Sequence, residues 1–192
     1  MKYKTYPLYI ITGGPGAGKT TLLNELESIG YRTVPEEGRR IIKEQILVNG
    51  EGLPWMNKKL FGELMFEASV RSYQEVMGTG SSGPIFFDRG ILDSIGYLRL
   101  ENIPVPEEMT TIAREMIYHK NVFILPPWRE IYENDPERKQ NFEEAVSTYQ
   151  HMKEIYLEYG YHLIEVPEVP VEKRAGFILE IIEADYTELN IL

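Results

Sequence analysis

The sequence predicts an α/β fold in which helices cover both faces of a doubly wound, mainly parallel sheet of five strands. Five short apolar runs are separated by segments of helical periodicity along the 192 residues. The runs are continuous rather than alternating, which is typical of parallel strands that are buried on both faces. Strands that alternate with helices indicate a doubly wound sheet. The expected strands are Leu8–Thr12, Arg32–Pro35, Ile85–Asp88, Val122–Leu125 and His162–Val166.

Apolar side chains at helical spacing predict the helices between these strands. The clearest patterns cover residues 22–29, 60–68, 142–159 and 171–182. The second and third strands are about 50 residues apart, which is far more than one crossover needs. We therefore expect two helices there, joined by Asn49–Trp55. The surplus indicates a helical subregion, residues 36–80, that covers a substrate, although plain helical padding is the alternative.

Length and composition restrict the class of protein. We expect residues 1–192 to form a single domain, with 43% hydrophobic and 26% charged residues. The sequence has no cysteine, which excludes disulfides and thiolate metal sites and fits a cytoplasmic location. The net charge of -10 disfavours a nucleic-acid partner. No apolar run is long enough to predict a membrane span or a signal peptide.

The segment Gly13–Thr20 matches the phosphate-loop pattern G-x-x-x-x-G-K-T, with an apolar strand before it and an amphipathic helix after it. Glycines let the backbone point several N–H groups at phosphates, and the helix adds its positive end. Lys19 is expected to reach the β- and γ-phosphates and Thr20 to bind Mg²⁺, so ATP and Mg²⁺ are the expected ligands. A glycine-rich turn with a surface lysine is the alternative. The expected nucleotide-binding residues are Gly13, Gly14, Pro15, Gly16, Ala17, Gly18, Lys19, Thr20 and Thr21.

The third expected strand ends in an acid and is followed by a cation. Asp88 is a candidate to anchor Mg²⁺ or to activate the nucleophile, and its alternative role is to cap the next helix. Arg89 could neutralise charge on a transferring phosphoryl group or hold an anionic substrate, or it could form a surface ion pair. Hydrolysing ATPases commonly have a second acid at this point, where this sequence has Arg89, so a hydrolysing ATPase is disfavoured. Regulatory GTPases are disfavoured too, because Ile91 replaces the glycine of D-x-x-G and no N-K-x-D is present.

Three further polar residues are candidates for substrate contact. Glu36 follows the second strand and could accept a hydroxyl hydrogen bond or support Mg²⁺, although acids are also favoured at helix N-termini. Arg39 could bind an anionic substrate or lie on a helix surface. Asp93 could face the site or only favour the start of its helix.

A polar stretch after the fourth strand, within residues 126–141, is a candidate lid over the triphosphate. Arg129 and Arg138 would contribute its cations. Arg138 could instead be a solvated helix residue, because Asp135 and Pro136 form a good helix start.

Several longer segments carry a resemblance. They resemble the bacterial "predicted ATPase", or AAA-like P-loop, family, and they are GGPGAGKTT, VPEEGRRII, FFDRGILD, FILPPWREIYENDPERKQNFEEA and the closing EVPEVPVEKRAGFI. That family is similar to the ribosylnicotinamide kinase domain and, more distantly, to thymidylate and deoxynucleoside kinases. The resemblance implies a P-loop kinase-like fold, phosphate binding by 13–21, a catalytic pair of Asp88 and Arg89, and lid residues Arg129 and Arg138.

Two functions follow as hypotheses. The first is an ATP-dependent kinase of a small hydroxylated metabolite, such as a nucleoside or a nucleotide. Lys19, Mg²⁺ and the lid arginines would then stabilise the phosphoryl group, while Asp88 or Glu36 accepts the hydroxyl proton. The second is a slow NTPase or nucleotide-switched module that acts on a protein partner.

Overall fold

Five strands form one sheet in the computed structural model, which describes residues 7–79, 83–132 and 141–189. Neighbouring strands are parallel and lie in the order β2-β3-β1-β4-β5, which confirms the doubly wound sheet. Each observed strand end lies within one residue of its predicted end. The strands are β1 (Leu8–Gly13), β2 (Arg32–Val34), β3 (Ile85–Asp88), β4 (Asn121–Leu125) and β5 (His162–Glu165).

Helices connect the strands in chain order. The gap between β2 and β3 contains the two expected helices. The helix α5 was not predicted, because its nine residues bury only Met109 and Ala113. Among the helices that the structure describes, none is long and apolar enough to span a bilayer. The helices are α1 (Lys19–Ser28), α2 (Glu37–Leu47), α3 (Lys58–Thr79), α4 (Ile91–Leu100), α5 (Glu107–Glu115), α6 (Phe142–Glu158) and α7 (Val171–Leu189).

The central strand β1 divides the apolar core into two layers. Its successive side chains point to opposite faces of the sheet. Leu8 and Ile10 pack in the layer that α3, α4, α5 and α6 cover, whereas Tyr9 and Ile11 pack in the layer under α1 and α7. Each fully buried side chain of this kind contributes about 1.5–3 kcal/mol to folding. The carboxyl end of β1 is thereby fixed between β3 and β4, where such sheets bind ligands.

A smaller core holds α2 against α3. It contains Ile41 and Ile42 from α2, Leu53 from the connection, and Phe61 and Ala68 from α3. This separate cluster stabilises the region within residues 36–80 beside the sheet. Its expected role as a substrate cover remains a prediction.

Candidate active site

The phosphate loop follows β1 directly. Gly13 has φ +135°, and a Cβ there would lie 2.5 Å from the Leu125 carbonyl oxygen, so only glycine fits. Gly16 and Gly18 also have positive φ, at 71° and 80°. The helix α1 begins at Lys19, and no side chain caps its first turn. Its first N–H groups are therefore available to an anion.

Lys19 is buried at the centre of this loop. Its Nζ donates to the carbonyl oxygens of Gly13, at 3.1 Å, and Gly14, at 2.7 Å. Thr20 and Thr21 are exposed at the start of α1. A cleft of about 280 Å³ lies over the loop and is also lined by Glu36, Arg39 and Ile131. The structure thus brings the predicted phosphate-binding residues together, and their roles remain predictions.

Asp88 is the buried last residue of β3, next to Ile11 of β1. Among the described residues, its Oδ1 has no hydrogen-bond partner. Burial, together with the nearby charge of Glu36, raises the pKa of Asp88 to about 6, although Lys19 and Arg89 oppose the change. This carboxylate has the free oxygen that a metal ligand or a base requires.

Arg89 adopts a left-handed backbone conformation, with φ +70°. Such a conformation in a residue other than glycine is strained, and strain of this kind concentrates at functional sites. Its Nε donates to Glu36 Oε1 at 3.0 Å, and its Nη1 donates to Asp93 Oδ1 at 3.0 Å. Burial by itself lowers the pKa of Arg89, but Glu36 and Asp93 raise it above its ordinary value. The cation is thus held permanently charged between two acids.

Asp93 organises the interior beside the site. Its Oδ2 accepts from the Gly90 amide at 2.8 Å and from the Tyr156 hydroxyl at 2.6 Å. Its Oδ1 accepts from Thr12 as well as from Arg89. These contacts cap α4 and connect it to β1 and α6. The described contacts therefore give Asp93 a positioning role, and its predicted substrate contact remains a prediction.

A second cavity, of about 120 Å³, lies beyond Asp88 and is called the acidic cavity here. The charged residues that the structure describes in its lining are five acids and Arg89. The helix α3 contributes the apolar side chains of Phe61 and Met65 to the wall of this cavity. Glu36 and Pro15 line both this cavity and the cleft over the loop. The five acids are Glu36, Glu37, Asp88, Asp93 and Glu101.

Of the remaining predicted cations, the structure describes Arg39 and Arg129. Arg39 Nε is 3.7 Å from Glu36 Oε2, and its side chain is 45% exposed at the rim of the cleft. Arg129 is exposed, and its Cζ lies 4.2 Å above the ring of Phe142. Phosphate contact by Arg129 therefore remains a prediction. Arg138 and the lid segment 133–140 lie outside the described residues.

Sequence reasoning missed Arg174, a buried residue of α7 that lies against the phosphate loop. The sequence pattern does contain a signal that Arg174 is buried. Position 174 falls on the apolar face of α7, three residues after Val171 and next to Ala175. A charged residue within such a face is expected to be buried, and a buried charge needs a partner.

Comparisons with known proteins agree with this architecture. A family model described as an AAA domain matches residues 8–174. Two structures of deoxyadenosine kinase from M. mycoides, one with the products dCMP and a flexible dCDP and one with dATP, are similar to the chain, with TM-scores of 0.63 and 0.62. Their sequences are 17% and 16% identical, over 92% and 93% of this chain and 99% and 100% of theirs. At this identity the likeness shows the fold alone. A comparison with curated proteins gave no significant match.

Proposed function

The chain belongs to the family of AAA-domain P-loop proteins, and we propose that it is a kinase. It transfers the γ-phosphoryl group of Mg²⁺-bound ATP to a hydroxyl group of a small ring-containing metabolite, such as a nucleoside. Catalysis by such enzymes consists mostly of positioning and charge stabilisation. The residues of both cavities are suited to these two tasks.

The observation that carries this proposal is the junction of the two cavities at Glu36 and Pro15. The cleft over the loop suits a triphosphate, and the acidic cavity beside it suits an acceptor. Ligands in both would hold a terminal phosphate close to an acceptor hydroxyl, which removes much of the entropic barrier to transfer. Nucleotide hydrolysis does not require the second cavity.

Thr20 and Asp88 fit a Mg²⁺ site. The Thr20 hydroxyl is exposed on the first turn of α1, and Asp88 Oδ1 has no partner among the described residues. Mg²⁺ is commonly held by one or two protein carboxylates together with phosphate oxygens and water. When bound, the ion neutralises charge on the phosphates. Lys19 would turn from the loop carbonyls to the same phosphates.

Glu36 is the residue that we assign to the hydroxyl proton. With Asp88 serving the metal, Glu36 is the carboxylate that borders both cavities. A general base must lie within hydrogen-bonding reach of the proton that it removes. Its ion pair with Arg89, at 3.0 Å, holds it at the junction and adds a cation near the phosphoryl group in transit.

The charge of the acidic cavity favours an acceptor without a phosphate group. Among the described residues of its lining, Arg89 is the single basic residue and is already paired with Glu36 and Asp93. Within the part of the lining that the structure describes, an additional phosphate would meet five carboxylic acids and no unpaired cation. A nucleoside therefore suits this cavity better than a nucleotide, and Phe61 and Tyr97 provide flat contacts for a ring.

The test is a screen with ATP, Mg²⁺ and a library of nucleosides, nucleoside monophosphates and sugars. Acceptor-dependent ADP release and the mass of the product are measured. We expect phosphorylation of a neutral acceptor and little turnover of its monophosphate. ADP release that never depends on an added acceptor, across a broad library, would contradict the kinase assignment.

A second candidate is a nucleotide-switched module that binds a protein. Large apolar side chains are exposed at the end of α2 and in the connection to α3, and Leu47 is 83% exposed. Exposed apolar patches often mark protein contacts. Pull-down experiments in the presence of ATP and of ADP test this function. A nucleotide-switched module should bind a different amount of its protein partner in the two nucleotide states. The exposed side chains are Ile46, Leu47, Val48, Trp55 and Met56.

A further inference from the structure

Arg174 is a buried cation that the proposed kinase chemistry does not use. It lies in the first turn of α7, and its residue exposure is only 5%. Among the described residues, no acceptor lies within hydrogen-bonding distance of its Nε. Burial lowers the pKa of Arg174, and Glu172 only partly opposes this effect. A buried guanidinium with an unused donor is costly unless a ligand supplies the acceptor.

The guanidinium lies against the last glycine of the phosphate loop. A Cβ on Gly18 would be 2.8 Å from Arg174 Nη1 and 3.1 Å from Ile131 Cδ1. Gly18 immediately precedes the first turn of α1, where the phosphates are expected. The part of a nucleotide beyond its phosphates would therefore pass close to Arg174.

An aromatic ring completes the arrangement. Trp128 follows β4, and its ring centroid lies 5.6 Å from Arg174 Cζ. The segment before α7 follows β5, so both residues belong to the carboxyl edge of the sheet, where ligands of such folds bind. Flat cations and indole rings both stack on nucleobases, and unused guanidinium donors suit the acceptor atoms of a base.

We propose that Arg174 and Trp128 form the subsite for the base of the nucleoside triphosphate. The guanidinium donates to an acceptor atom of the base, and the indole ring contacts its face. This assignment rests on the nucleotide binding included in the proposed function, and it adds the residues that distinguish ATP from a bare chain of phosphates.

The experiment measures the affinities of ATP and of inorganic tripolyphosphate by isothermal titration calorimetry, each with Mg²⁺ and without an acceptor. The background variant is Trp55→Phe, which leaves Trp128 as the single tryptophan and changes an exposed residue outside both cavities. We expect ATP to change Trp128 fluorescence and tripolyphosphate to leave it unchanged. Arg174→Met should weaken ATP binding about tenfold or more and change tripolyphosphate binding less than about twofold. Arg174→Lys should not restore ATP binding, because an ammonium on a flexible chain lacks the rigid fork of donors that a guanidinium presents.

Three outcomes would overturn the subsite. Equal weakening of both ligands by Arg174→Met would assign the cation to phosphate, and unchanged ATP affinity would make Arg174 structural. If circular dichroism shows that Arg174→Met does not fold, then Trp128→Leu serves in its place, and unchanged ATP affinity in that variant overturns the proposal.

Lys19→Ala, which should weaken the binding of both ligands, is the control for the loop. The titration needs no acceptor, so it stays informative if phosphoryl transfer is never found. Failure of the parent protein to bind either ligand would instead remove the nucleotide-binding premise.

Discussion

The two cavities of the site are built from different parts of the chain. The phosphate loop is one continuous segment, and its binding groups are mostly backbone amides that Gly13, Gly16 and Gly18 set in place. The acidic cavity is formed by side chains from β3 and from α2, α3, α4 and α6, which meet only after folding. A backbone-built cleft tolerates little change, whereas single substitutions can change what a side-chain-built cavity accepts. The predictions below test this difference.

The largest effect is expected on the loop side. Lys19→Ala removes the one ammonium at the centre of the loop and should reduce acceptor-dependent phosphorylation by about 10³-fold. ATP affinity should fall as well, because the proposed role of the lysine is to contact the phosphates before and during transfer. Initial rates and an ATP titration provide the measurement. Lys43→Ala, on the exposed side of α2, is the matched control and should behave like the parent.

A smaller effect that is confined to transfer is expected on the acceptor side. Glu36→Gln keeps the size of the side chain but removes the proposed base, so kcat should fall by about 10²-fold. ATP affinity should change less than about twofold, because phosphate binding depends on the loop. Steady-state rates and the same ATP titration separate the two effects, and Glu75→Gln, on the surface of α3, is the control. Equal losses in ATP affinity and in rate would remove the distinction between the cavities.

The same division explains what the sequence could predict. Strand positions and the phosphate loop are local patterns, and Asp88 was identified because it directly follows an apolar run. The ion pair between Glu36 and Arg89 joins residues 53 positions apart, and the contact between Thr12 and Asp93 spans 81. No spacing rule records such pairs, because packing of α2 and α4 around the sheet creates them. The sequence therefore predicts the loop side in detail and the acceptor side only as candidate residues.

Asp88→Asn should stabilise the protein in the absence of Mg²⁺ and nucleotide. Because the folded carboxyl has a pKa of about 6 instead of 3.8, the folded state keeps its proton longer than the unfolded state as pH rises. The parent therefore loses stability between about pH 4 and pH 6, by up to roughly 3 kcal/mol, and the variant does not lose this contribution. Urea unfolding at several pH values measures the difference. A constant gap between parent and variant across this range would contradict the raised pKa.

The smallest effect concerns the scaffold behind the acidic cavity. Tyr156→Phe removes the hydroxyl that donates to Asp93 Oδ2 at 2.6 Å, inside the core. The unfolding free energy should fall by roughly 1.5 kcal/mol, the lower end for a bond to a charged group, because the Gly90 amide continues to donate to the same oxygen. Tyr159→Phe, whose ring keeps its contact with Arg114, is the control for losing a hydroxyl from the end of α6.

The variant Tyr156→Phe also tests whether the two cavities are held in place by different contacts. Asp93 also holds Arg89, which in turn holds Glu36, so a looser Asp93 should raise the KM for the acceptor more than the Kd for ATP. The loop amides are instead set mainly by the backbone conformations of Gly13, Gly16 and Gly18, and Asp93 contacts only Thr12 before the loop. If Tyr156→Phe weakened ATP binding as much as acceptor binding, then the same contacts would hold the loop and the acidic cavity in place. The conclusion that the two cavities are built independently would then be wrong.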